Sequence, residues 1–132
     1  PKCMWEWFSL RFFDDEEMML FSFPQDEYVD GTYIRADRTG QRLNNYVITP
    51  RKFTTVGGYK FSCEWEVEIP GLKDEHYLIK PVSEGQVNLI YFELLAGIYR
   101  KDGEQVGYCV VELLPGVYNG KINSMNIFTK ID

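Results

Sequence analysis

Apolar side chains recur along this chain at every second position, in short runs separated by turn residues, and the spacing of an amphipathic helix is hard to find. The alternation predicts strands at Cys3–Phe13, Met18–Phe23, Gly31–Ala36, Asn45–Thr54, Tyr59–Ile69, His76–Pro81, Gln86–Tyr99 and Glu104–Leu114. Between them lie residues with a physical reason to turn. Asp14-Asp15-Glu16 joins the first two strands, and Arg38-Thr39-Gly40 offers a glycine for positive φ. Gly57-Gly58 interrupts the chain before the fifth strand, and Pro70, which has no N–H for a ladder, ends that strand with Gly71. Lys101-Asp102-Gly103 is the clearest hairpin signal. In the tail, Asn119-Gly120 suits a tight turn and Met125–Thr129 a further strand or edge. About eight sequential strands with short connections predict an all-β fold, an antiparallel up-and-down barrel whose interior holds side chains or one small ligand.

Several strands are apolar on both faces. Met4, Phe8, Leu10 and Phe12 alternate with Trp5, Trp7 and Phe13, while Ile90, Phe92, Leu94, Ala96 and Ile98 alternate with Leu89, Tyr91, Glu93, Leu95 and Tyr99. A solvated barrel needs one apolar face only. The second face predicts a cover: a helix, another domain or another subunit.

Composition narrows the function. The chain has 132 residues, enough for one core-forming domain, and 16% of them are aromatic, which suits strands and an apolar pocket. A net charge of −6 argues against sequence-independent nucleic-acid binding and against docking on anionic membranes. No apolar run is long enough for a helical membrane span, and no secretory leader is visible. Cys3, Cys63 and Cys109 sit in apolar runs without zinc-site spacing. Buried free thiols are the expectation, with a Cys3–Cys63 or Cys63–Cys109 bridge left open. No phosphate loop, dinucleotide fingerprint or nucleophile elbow occurs, and no cofactor or metal is called for. His76, the only histidine, follows Lys73-Asp74-Glu75 and is read as a solvated turn residue.

An ordered set of segments resembles the carotenoid 1,2-hydratase (hydroxyneurosporene synthase) family and its lipocalin-like relatives. Trp5-Glu6-Trp7-Phe8-Ser9-Leu10, Asp14-Asp15 and Met18-Met19-Leu20-Phe21 are similar to its W-x-W-F strand, turn and following strand. Gly31-Thr32-Tyr33 and Asp37-Arg38-Thr39-Gly40 come next. Phe61 to Pro70, with Trp65 and Ile69-Pro70, resembles the Y-P-x-x-W-x-x-x-I-P segment, although Phe61-Ser62 replaces Tyr-Pro. Phe92-Glu93-Leu94 stands where the family has W-E-G, and Gly107-Tyr108 with Val111-Glu112-Leu113 resembles G-x-G-Y-V-E-L. The resemblance implies a lipocalin-like barrel, here the C-terminal barrel of a two-barrel protein. An Asp/His segment that the family carries upstream would lie before Pro1. A periplasmic, secreted or cytoplasmic location is compatible with it.

For chemistry, the hairpin between the last two predicted strands offers two registers. A two-residue Asp102-Gly103 loop would set Glu93 opposite Glu112 on a surface with Tyr91, Leu95, Tyr99 and Tyr108. In a partly dry barrel one carboxyl of such a pair keeps its proton and could protonate a C=C bond, the first step of hydration. A three-residue Lys101-Asp102-Gly103 loop would shift the register by one and send the carboxyls to opposite faces. Trp5, Trp7, Trp65, Tyr91, Tyr99 and Tyr108 are the expected ligand-binding aromatics, and Glu93 with Glu112 the catalytic candidates. The function classes that follow are a barrel binding an apolar or lipid-like small molecule, a hydratase or lyase acting on an isoprenoid-type C=C bond, and a structural inter-domain barrel.

Overall fold

Within the first strand the alternation becomes burial: Glu6, Phe8, Leu10 and Phe12 are buried, Trp7 and Ser9 half-buried, and Arg11 exposed. The computed structural model describes residues 5–56, 58–82 and 93–113. These form β1 (Glu6–Phe12), β2 (Glu17–Phe23), β3 (Tyr28–Ile34), β4 (Gly40–Leu43), β5 (Val47–Val56), β6 (Tyr59–Glu68), β7 (His76–Pro81), β8 (Glu93–Arg100) and β9 (Gln105–Leu113). The predicted tail elements and the Gln86–Phe92 part of the eighth predicted strand fall outside the described residues. β4 is a strand that the alternation did not reveal. Its Gly-Gln-Arg-Leu sequence buries only Leu43, and it is held by ladder bonds to Gly31–Ile34 of β3.

All nine strands belong to one antiparallel sheet in the order β4-β3-β2-β1-β9-β8-β7-β6-β5. Every sequential pair is bonded except β4 and β5, and β1–β9 pairing joins the two halves. Strand direction alternates along the sheet, so β4 and β5, in first and ninth place, point the same way. They cannot pair antiparallel, and a three-residue connection is too short for a parallel crossover. The curled sheet therefore keeps a seam between its edge strands. Since β4 covers only Gly31–Ile34, the beginning of β3 at Tyr28–Asp30 borders that seam without a β4 partner.

Hairpin turns at Phe12–Glu16, Arg35–Thr39 and Arg100–Glu104 close by the same device. The first residue donates its N–H to the fifth residue's carbonyl and accepts from the fourth residue's N–H. The central Asp14, Asp37 or Asp102 accepts from the backbone N–H two residues on. The fourth position takes positive φ, at Asp15 (71°), Arg38 (72°) and Gly103 (92°). In the middle turn the left-handed residue is thus Arg38, not the expected Gly40, which starts β4.

The inward face is a close-packed core. Phe8, Leu10, Met18, Leu20, Trp65, Val67, Ile79, Ile98 and Val111 are buried, and Phe8 meets Trp65 edge-on with ring centres 5.2 Å apart. Register shifts near Lys52 leave Cys63 as an extra residue in β6, so that Ser62 shares the interior with Trp65. Cys63 and Cys109 are free and buried. Burial pushes both thiols up in pKa, Cys109 far above its ordinary range, which makes them poor nucleophiles.

Candidate ligand-binding site

Glu6, Ser22 and Ser62 are the buried polar side chains among the described residues. They gather on the inner face. Glu6 and Ser22 are directly opposed in the β1–β2 ladder, and Ser62 donates its hydroxyl hydrogen to Glu6 Oε2. Trp65 Nε1 donates to Ser62 Oγ at 3.0 Å. The result is a directed chain, indole to hydroxyl to carboxyl, with its accepting end at Glu6. A buried carboxyl is tolerated only where hydrogen bonds replace water. Sequence reading placed the two indoles flanking Glu6 on one face but did not select Glu6. The signal was present: an acidic residue in phase with Phe8, Leu10 and Phe12.

A cleft of about 380 Å³ opens at the seam, between the β2–β3 hairpin and the start of β5. Phe23, Tyr28, Val29 and Ile48 supply apolar walls, and Ser22 reaches it from the inner face. Tyr46, in the β4–β5 connection, also lines it and donates its hydroxyl to the Phe21 carbonyl at 2.6 Å. Burial raises the Tyr46 phenol well above its ordinary pKa, so the hydroxyl stays a donor. The cleft therefore runs from half-exposed aromatics inward to a serine that neighbours the buried carboxyl.

At the rim formed by the β1–β2 and β6–β7 connections, Lys73 Nζ lies 2.7 Å from Asp14 Oδ2 and 2.6 Å from Glu16 Oε1. Burial opposes the charge on Lys73, but hydrogen bonds to both carboxylates outweigh it and hold the ammonium pKa high. Hydrogen bonds from Lys73 and from Tyr33 hold Glu16 below its ordinary value, and Lys73 outweighs burial to hold Asp14 low. Lys73 also lies 4.6 Å from the Phe12 ring centre, and Phe12 packs on Tyr77, whose phenol is pushed up to about 12 by burial. This cluster straps two separate hairpins together.

The residues expected from sequence divide between the faces. Trp65 is fully buried in the core. Trp5 and Trp7 are half-buried on the outer face, both against Phe21. Tyr108 is exposed and packs edge-on with Phe13. Tyr99 lies over Gly97 with Lys80 above its ring, in an open outer groove of about 560 Å³ shared with the Arg51–Glu66 ion pair. Tyr91 lies outside the described residues. These outer positions do not line a common interior pocket with Trp65.

Glu93 and Glu112 do stand opposite each other, as do Leu95 and Val110, and Gly97 and Tyr108. Both expected hairpin geometries contribute. The loop is the three-residue one, closed by Gly103 N–H to the Arg100 carbonyl at 2.9 Å. A bulge at Val106 then restores the register that the shorter loop would have set. The shared face is the outer one, however. Glu93 is exposed and Glu112 half-buried, whereas Leu94, Ala96, Ile98 and Val111 point inward. The carboxyl inside the barrel is Glu6.

No family model and no curated protein matches the chain. Among solved structures, the crystal structure of a Nitrosomonas europaea protein presented as an AttH candidate is similar, with TM-score 0.64 and 16% identity over 84% of this chain. The fold is lipocalin-like. At that identity the likeness speaks for architecture alone, and it leaves the carotenoid-hydratase resemblance as a proposal. The present chain spans only 39% of that neighbour's length. No helix among the described residues is long and apolar enough to cross a membrane.

Proposed function

We propose that this chain is a lipocalin-like domain that binds an apolar or lipid-like small molecule at the seam cleft. The cleft carries this reading, because it joins an apolar mouth at Phe23, Tyr28, Val29 and Ile48 to a polar floor at Ser22. Apolar walls with few polar groups are the usual make-up of small-molecule sites, and about 380 Å³ lies within their usual size. Hydration of a C=C bond, which the family resemblance implies, needs an acid beside the alkene in a water-poor pocket. Glu93 and Glu112 stand on the outer face, so the geometry favours binding over turnover. Native mass spectrometry of the purified chain should show a co-purified apolar molecule, and Ile48→Trp, which fills the cleft, should release it. Retention of the molecule by the filled variant would place binding elsewhere.

A second reading is supported by the outer face. Trp7, Met19, Phe21, Leu95, Tyr108 and Val110 form an apolar belt across β2, β1, β9 and β8, at least partly exposed along its length. Exposed apolar belts mark interfaces. It suits coverage by a second barrel or a second subunit. For a subunit, sedimentation velocity should show self-association that Leu95→Lys weakens; a chain that stays monomeric at high concentration rules out the subunit.

A further inference from the structure

We propose that the outer groove across β6, β7 and β8 binds an organic anion with an apolar body, such as an aromatic carboxylate, and that Lys80 receives its charge. This site is separate from the seam cleft. Leu78 is an outward residue of β7, and the ladders set it between Glu66 of β6 and Tyr99 of β8. It gives the groove an apolar floor, and a volume of about 560 Å³ is within the usual size of small-molecule sites. Tyr99 adds an apolar wall whose place depends on Gly97. A Cβ at Gly97 would stand 2.8 Å from the Tyr99 hydroxyl, so the ring lies there because the side chain is missing. Lys80 Nζ sits 4.8 Å from the centre of that ring, and the attraction of an ammonium for an aromatic ring holds it at the groove.

Charge decides the class of ligand. The chain has 20 acidic and 14 basic residues, so a basic side chain without a carboxylate is the exception. Most lysines and arginines among the described residues stand in ion pairs, but Lys80 and Lys101 stand in none with a described residue, and both line this groove. They flank Leu78 from opposite ends: Lys80 lies beyond it on β7, and Lys101 follows Arg100, the cross-strand partner of Tyr77. Glu64 and Glu66 line the groove too, but Lys52 engages the first at 3.5 Å and Arg51 the second at 3.0 Å. Arg100 is engaged by Asp102 and Glu104, which do not line it. The lining therefore sets four basic side chains, Arg51, Lys80, Arg100 and Lys101, against the two acidic ones. A cleft with an excess of one sign concentrates ligands of the other. The seam cleft is the opposite case, since its one charged lining residue among those described is Glu27, so an anion belongs in the outer groove. Lys80 is half-buried and already held over a ring, and it loses less freedom on meeting an anion than the exposed Lys101 does.

The test uses one ring system with opposite charges. The chain is titrated with 2-naphthoate and with 2-naphthylmethylamine in a calorimeter. The carboxylate should bind at least about tenfold tighter than the amine, a discrimination of about 1.4 kcal/mol. In Lys80→Gln that preference should fall to within about threefold, whereas Lys80→Arg, which keeps the charge, should retain most of it. Lys60→Gln removes another lysine that stands in no described ion pair but lies over Phe53, outside the groove, and it should leave the preference unchanged. Ile48→Trp, which fills the seam cleft, should also leave naphthoate binding unchanged. No binding of naphthoate, equal binding of the two probes, or equal losses in Lys80→Gln and Lys60→Gln overturns the proposal. Loss of naphthoate binding in Ile48→Trp also overturns it, because the anion then sits in the seam cleft. Failure of the seam reading alone, with no apolar molecule released by Ile48→Trp, leaves this site standing. Circular dichroism checks that each variant folds, and if Lys80→Gln does not, Lys80→Met supplies the same reading.

Discussion

Glu93 faces Glu112 across the β8–β9 ladder, held there by the extra residue Val106. Like charges directly opposed in a sheet are unfavourable. Glu93→Lys converts the repulsion into a cross-strand ion pair on an exposed face. It should stabilise the chain by about 0.5 kcal/mol, read as a higher midpoint in urea. Glu93→Gln should give about half of that gain, and a loss of stability in both variants would mean that the pair has a cationic partner.

The strap at Lys73 makes stability depend on pH with a defined sign. Asp14 and Glu16 are held below their ordinary values of 3.8 and 4.5. A lowered carboxyl adds stability that is fully present above the ordinary value and is lost as pH falls through the lowered one. Lys73 is held above its ordinary 10.5, so its contribution is full below that value and fades only as the pH rises past it. Lys73→Met should cost about 1–2 kcal/mol at neutral pH and flatten the acid limb of stability against pH. Urea unfolding across the acid range is the measurement; an unchanged acid slope would show that other carboxyls govern it.

Gly107 sits where β9 passes close to β1. A Cβ there would stand 2.3 Å from the Arg11 carbonyl oxygen and 2.9 Å from the Phe12 Cα, both backbone atoms. Gly107→Ala must therefore push the joining strands apart, and a loss of about 2–3 kcal/mol is expected. Gly103→Ala, at φ 92° with open space around it, should cost only about 1 kcal/mol. Thermal unfolding of the two variants side by side checks the ranking.

Ser62 is the middle of the interior polar chain. Ser62→Ala strands the buried Trp65 N–H and removes a donor from Glu6, and should cost about 2–3 kcal/mol. Ser9→Ala, at a half-buried outward position of β1, should change stability by less than about 0.5 kcal/mol. Near-equal effects of the two would deny the chain its weight.

Much of this architecture was legible in the alternation of apolar positions. His76–Pro81 was delimited as found, and β1, β2, β5, β6 and β9 were located to within a few residues. Strand period reports burial directly, so Phe8, Leu10 and Ile98 declared themselves. β4 did not, because a strand that buries only Leu43 leaves almost no periodic trace. The site was harder. Period two says that Trp5 and Trp7 share a face and Glu6 the other, but both faces are rich in apolar residues, so the pattern leaves open which one is the interior. One of the two hairpin registers open in the sequence sets Glu93 opposite Glu112, as found, and the face they occupy depends on the same choice. Ser62 could not be assigned from period, because the extra residue at Cys63 reverses the phase beside it.

On the binding reading proposed above, the open edge between β4 and β5 bears on how a ligand would enter and leave. A fully laced barrel must break backbone ladder bonds to widen, or admit its guest through an end. Here the two sides of the cleft, the β2–β3 hairpin and the start of β5, share no ladder. Among the described residues, the Tyr46 hydroxyl on the Phe21 carbonyl ties the β4–β5 connection back to β2. On that reading, moving that phenol aside would release this tie without breaking a ladder bond between strands.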